Sequence, residues 1–67
     1  MPDKNYIKKQ AQRMHDYADN PRIYKDAAYR LLSNADEIPV SYNHEGDLTE
    51  ADIQKAESIA AEALNNE

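Results

Sequence analysis

The chain has 67 residues, a net charge of −5, one glycine and no cysteine. That length allows a single small domain whose burial barely outweighs chain entropy. Without cysteine no disulfide can staple it, and no thiolate can act as nucleophile or metal ligand.

The apolar runs are too short to span a bilayer, and MPDKNYIKKQ lacks the apolar stretch of a signal peptide. The expectation is a soluble, cytoplasmic protein. Bulky aliphatics are scarce: five Ile, four Leu and one Val, with no Phe or Trp. Such a content, at this net charge, borders on the disordered range. Ten Ala and five Tyr add apolar surface, and their periodic placement argues for folding. A small alanine-rich domain can gain missing burial from a second copy or a partner.

Charge divides along the chain. Residues 1–33 hold seven Lys/Arg against four acids, a net of +3, whereas residues 34–67 hold one Lys against nine acids, a net of −8. Such asymmetry speaks to partners rather than to fold.

The first helix is predicted over 4–18, capped by Asp3. Ile7, Ala11, Met14 and Ala18 form its apolar stripe, with Tyr6 and Tyr17 beside it. Lys4, Lys8, Lys9 and Arg13 read as a solvated basic face. Asn20 as cap and Pro21 at the first helical position start a second helix over 21–34. It presents Ile23, Tyr24, Ala27, Ala28, Leu31 and Leu32. So short a connection makes the two helices neighbours. The turn lacks the glycine usual in a helix-turn-helix, and the third helix is acidic, which argues against direct nucleic-acid binding. Tyr6, Tyr17, Tyr24 and Tyr29 read as aromatic filler with hydroxyls turned to water.

Residues 34–47 form a long connection. Pro39 disfavours helix at Ile38, so 38–40 is expected to be extended, with at least one of Ile38 and Val40 closing the core and Tyr42 helping. The third helix, over 49–65, has the clearest signals. Thr49 and Asp52 have capping-box spacing, and Leu48 and Ile53 have hydrophobic-staple spacing. Ile53, Ala56, Ala60, Ala63 and Leu64 make its stripe. Glu50 and Glu57 fall outside that stripe and are expected to have no folding role. The expected fold is all-α, a small three-helix bundle with an extended connection between helices 2 and 3.

Ser41 to Asp52 resembles a degenerate calcium loop of the EF-hand or dockerin type. Gly46 stands at the sixth position and Leu48 at the eighth, with oxygen side chains Ser41, Asn43, Glu45, Thr49 and Asp52 at positions one, three, five, nine and twelve. The resemblance implies a calcium site and covers twelve residues. Ser41 stands where an aspartate usually opens the loop, Glu45 is long for its position, and Pro39 interrupts any entering helix. A glycine turn followed by an ordinary helix cap explains the same residues, and that is the reading adopted: no metal and no cofactor. His15 and His44 read as surface residues. A nucleophile elbow, a phosphate-cradling glycine loop and a paired-Cys motif are all missing, so the chain reads as a non-enzyme.

What remains is the acidic half. Asp36, Glu37, Glu45, Asp47, Glu50, Asp52, Glu57 and Glu62 are expected to meet a protein partner with a basic surface. The protein would be an interaction module, an inhibitor or regulator, and a nucleic-acid-handling enzyme is one target whose phosphate sites carboxylates can mimic. The alternative is a self-associating helical protein, a homodimer in which Ala56, Ala60 and Ala63 let a second helix approach.

Overall fold

The computed structural model describes residues 3–65. Each of its helices begins at a short polar side chain that captures free backbone N–H groups. Asp3 accepts hydrogen bonds from the N–H groups of Asn5 and Tyr6 and starts α1, Lys4–Asp16. Asn20 accepts from the Ile23 N–H, and with Pro21 in the first turn it starts α2, Pro21–Asn34. Thr49 precedes α3, Glu50–Asn65, and forms the reciprocal box its spacing predicts. The Asp52 N–H donates to Thr49 Oγ1 at 3.3 Å, and the Thr49 N–H donates to Asp52 Oδ2 at 3.0 Å. These caps satisfy donors that the first turn of a helix leaves open.

α1 is shorter than the predicted 4–18. Tyr17 leaves the helical region at φ −115°, and its carbonyl accepts from the Asn20 N–H instead. The tight corner needed to present Asn20 and Pro21 to α2 takes the last helical residues, so Ala18 is exposed rather than part of the stripe.

α1 packs on both other helices, and α2 makes a smaller contact with α3. The fold is therefore the all-α three-helix bundle expected from the sequence. Its centre is unusual in composition. Ala11, Ala27, Ala28, Leu31, Leu32 and Ala56 are fully buried, with Met14, Ala60 and Leu48 close behind. Alanine at these positions lets the helix backbones approach closely, while Leu31 and Leu32 supply most of the aliphatic volume. Ile7, Tyr24, Ile38, Ile53, Ile59 and Leu64 close the edges. The only buried polar side chain among the described residues, Gln10, accepts a hydrogen bond from Arg13.

The connection from 35 to 49 is ordered by specific bonds. After α2 the Glu37 N–H returns to the Leu32 carbonyl and the Asp36 N–H to the Ser33 carbonyl, the paired bonds of a Schellman ending. Such an ending needs a left-handed residue, usually glycine. Here it is Asp36, at φ 58°. A turn from Pro39 to Tyr42 follows, closed by the Tyr42 N–H on the Pro39 carbonyl at 3.1 Å. Because the path turns, Ile38 packs on the core while Val40 is entirely exposed. A short 3-10 turn, Glu45–Asp47, then leads to Leu48 and α3.

Candidate functional site

The acidic residues were expected to form one outward array, and the structure divides them by what each carboxylate touches. Asp52 faces inward along the connection: its Oδ2 accepts from the Thr49 N–H, the Thr49 hydroxyl and the Tyr42 hydroxyl at 2.9 Å. The Thr49 N–H, with the Tyr42 hydroxyl behind it, holds the Asp52 carboxyl below its ordinary range. Asp47 Oδ2 accepts from the N–H groups of Asn43 at 2.7 Å and His44 at 3.4 Å. These two bonds, Asn43 first, hold its carboxyl low as well. Glu37 pairs with Lys55 at 2.9 Å and ties the connection to α3. Glu57 accepts from the Tyr24 hydroxyl and joins α2 to α3. The expectation that Glu57 has no folding role is therefore corrected: α2 brings Tyr24 to its side of α3.

The other four carboxylates differ. Asp36, Glu50 and Glu62 are exposed, and Glu45 is half-buried. Ion pairs with arginine and lysine engage Asp26 and Glu37, while Asp16 and Asp47 lie within 4 Å of His15 and His44. Asp36 sits just past the end of α2, Glu50 at the start of α3 and Glu62 near its end.

Tyr24 and Tyr29 do not turn their hydroxyls to water as expected, and the Tyr42 hydroxyl also finds a partner in the protein. Tyr24 donates to Glu57, Tyr29 to the Tyr42 carbonyl at 3.2 Å, and Tyr42 to Asp52. Tyr29 and Tyr42 thereby clamp the connection between α2 and the first turn of α3. Burial, and then the bond to Glu57, push the Tyr24 phenol up to about 12.

The stretch that resembles a calcium loop is arranged otherwise. α2 ends at Asn34, seven residues before Ser41, so no helix leads into it. Gly46 lies in the 3-10 turn without a positive φ. Its lack of a side chain serves a close approach: a Cβ there would lie 2.6 Å from the His44 ring, whose Nδ1 accepts from the Gly46 N–H at 3.0 Å. Asp52, the twelfth-position acid that a cation would need, is spent on capping α3 and on the Tyr42 hydroxyl, and Thr49 is its capping partner. No group of three or more His, Asp or Glu among the described residues is placed to hold a metal ion. The residues do not fit a calcium site.

A polar cleft of about 520 Å³, not foreseen from the sequence, lies between α2 and this connection. Tyr6, Tyr29, Arg30, Ser33, His44 and Glu45 are among its walls. Asp26 at its edge accepts from Arg30 Nε at 3.0 Å and from Arg13 at 3.3 Å, so one carboxylate sits between two guanidinium groups. The walls hold hydrogen-bonding groups of both signs.

No protein-family model, characterised protein or solved structure matches the chain. No helix among the described residues is long and apolar enough to cross a membrane.

Proposed function

We propose that this is a small protein-interaction module, an inhibitor or regulator that occupies a basic surface of a partner protein. Asp36, Glu45, Glu50 and Glu62 are its contact carboxylates, and Glu37, Asp47, Asp52 and Glu57 shape the surface that carries them. It acts without catalysis or cofactor and in the cytoplasm. A nucleic-acid-handling enzyme is a suitable target, since carboxylates at fixed spacing compete for groups that bind phosphate.

One observation carries this reading. The left-handed ending of α2 favours glycine, yet the chain keeps an exposed aspartate there at φ 58°. A residue with a Cβ costs roughly 1–2 kcal/mol in that conformation, with aspartate among the better tolerated. A strained residue that contributes little to packing is explained by what its side chain does outside the fold.

The test pairs stability with binding. Asp36→Gly is expected to raise the melting temperature while weakening salt-sensitive capture of the partner from the native host. Glu50→Gln with Glu62→Gln is expected to weaken the same capture at unchanged melting temperature, mainly through slower association. Capture that is equal for wild type and variants at low and high salt would sink the acidic-contact reading.

A further inference from the structure

We propose that His44 is a proton-sensitive latch: its neutral ring holds the Gly46 N–H and closes the short turn that walls the polar cleft, and protonation releases that turn. The inference goes beyond the partner reading and does not depend on it.

The geometry fixes the protonation of the ring. His44 Nδ1 accepts from the Gly46 N–H at 3.0 Å, so that nitrogen carries no proton and the ring proton sits on Nε2. The ring lies close over the backbone because Gly46 has no Cβ to hold it off. Asp47 is the other arm of the same turn, its Oδ2 accepting from the Asn43 and His44 N–H groups. Its Oδ1 lies 3.8 Å from His44 Nε2, too far for a hydrogen bond but beside the ring's donor.

Protonation adds a hydrogen to Nδ1 and makes both ring nitrogens donors. The Nδ1–H and the Gly46 N–H then face each other, and the bond that closes the turn is lost. An ionised acceptor is already at hand in the Asp47 carboxylate. The ring therefore exchanges a backbone bond for an ion pair, and the Gly46 N–H passes to water. Asp47 stays charged through the histidine range, because the Asn43 and His44 N–H groups hold its carboxyl low.

The surroundings keep the change local. α2 is the helix packed against the turn, and its Asp26, Tyr29 and Arg30 share the cleft with His44, as does Tyr6 of α1. Asp26 and Arg30 bind each other, and Tyr29 donates to the Tyr42 carbonyl. Glu45, the neighbouring carboxylate, lines the same cleft. Most of the His44 side chain is exposed, so solvent protons reach it without any opening of the bundle. The wall of the cleft thus changes with pH while the helices keep their places.

The chain has one glycine, so protein labelled with 15N-glycine gives a single backbone amide signal that reports on this bond. Between about pH 8 and pH 5, where histidine changes charge, that signal should move upfield in one transition that follows the His44 ring protons. Long-range 1H–15N spectra at the alkaline end should place the His44 proton on Nε2. His44→Asn keeps an acceptor at the place of Nδ1 and has no proton to gain, so its Gly46 signal should stay still over the same range. His15→Gln should leave the wild-type transition intact, and circular dichroism should show constant helix content throughout. A Gly46 signal that does not move, a neutral ring protonated on Nδ1, a transition that survives His44→Asn, or one that coincides with loss of helix would each overturn the proposal.

Discussion

Asp52 joins three structural tasks in one carboxylate, since it caps α3, holds the Thr49 hydroxyl and anchors Tyr42. Removing only the reciprocal partner should cost less than removing the hub. Thr49→Ala is expected to destabilise by about 1 kcal/mol, within the range for lost caps. Asp52→Ala is expected to lower the melting temperature further, because Tyr42 also loses its acceptor. Thermal melts of the two variants decide the order, and the reverse order would make the hydroxyl the principal cap. Acid gives an independent check. The folded carboxyls of Asp47 and Asp52 are held below the unfolded value, so the folded state binds their protons less well. Their contribution is complete above about 3.9, the unfolded aspartate value, and fades as pH falls through the lower folded values. The acid transition of Asp52→Asn should accordingly be shallower than that of wild type. Tyr24 acts in the opposite sense. With its phenol pushed up to about 12, its contribution is complete below the unfolded value and is lost as pH rises through the folded one. Ultraviolet titration of tyrosinate should show a phenol ionising near 12 that Tyr24→Phe removes.

The three helices were legible because their boundary signals are local. Asp3, Asn20 with Pro21, and Thr49 with Asp52 each report on backbone groups within one turn. The stripes of α2 and α3 follow for the same reason. Less local features escaped. Gln10 is buried because Arg13 supplies a donor, and no hydropathy pattern marks that. The tyrosine hydroxyls find partners 10 to 33 residues away, a separation that periodicity does not encode. Asp36 gives no sign in the sequence of a left-handed helix ending, because glycine is the usual marker and is missing there. The exposed and the structural carboxylates carry the same letters, and only the fold separates them. At the scale of the connection, the cap formed by Asp52 leads to a plain expectation about calcium. Millimolar calcium should move neither the melting temperature nor the tyrosine fluorescence. A saturable stabilisation that magnesium does not reproduce would show that the loop rearranges into a site, since a ligand bound only by the folded state must raise its stability.

The whole molecule has one centre built from alanines around Leu31 and Leu32. A chain of this length has roughly 3–10 kcal/mol of total stability on per-residue averages. Leu31→Ala, which empties one of the two largest fully buried side-chain volumes, is expected to cost about 2–5 kcal/mol. Circular dichroism should therefore find much of that variant unfolded at room temperature. Ala56→Leu forces extra volume between helices that meet at alanine and should cost about 1–3 kcal/mol. Near-wild-type melting of both variants would mean that the helices reposition freely and that the close packing is not specific.

The same spare core gives the protein a useful thermometric property. Its unfolding entropy is small in proportion to its length, so each kcal/mol of added stabilisation moves the melting point by about 4–8 °C. A partner present at a hundredfold excess over its dissociation constant adds about 2.7 kcal/mol. The resulting shift is on the order of 10–20 °C. A dye-based melt of this protein against fractionated host proteins would thus read binding directly, with the small domain as its own reporter.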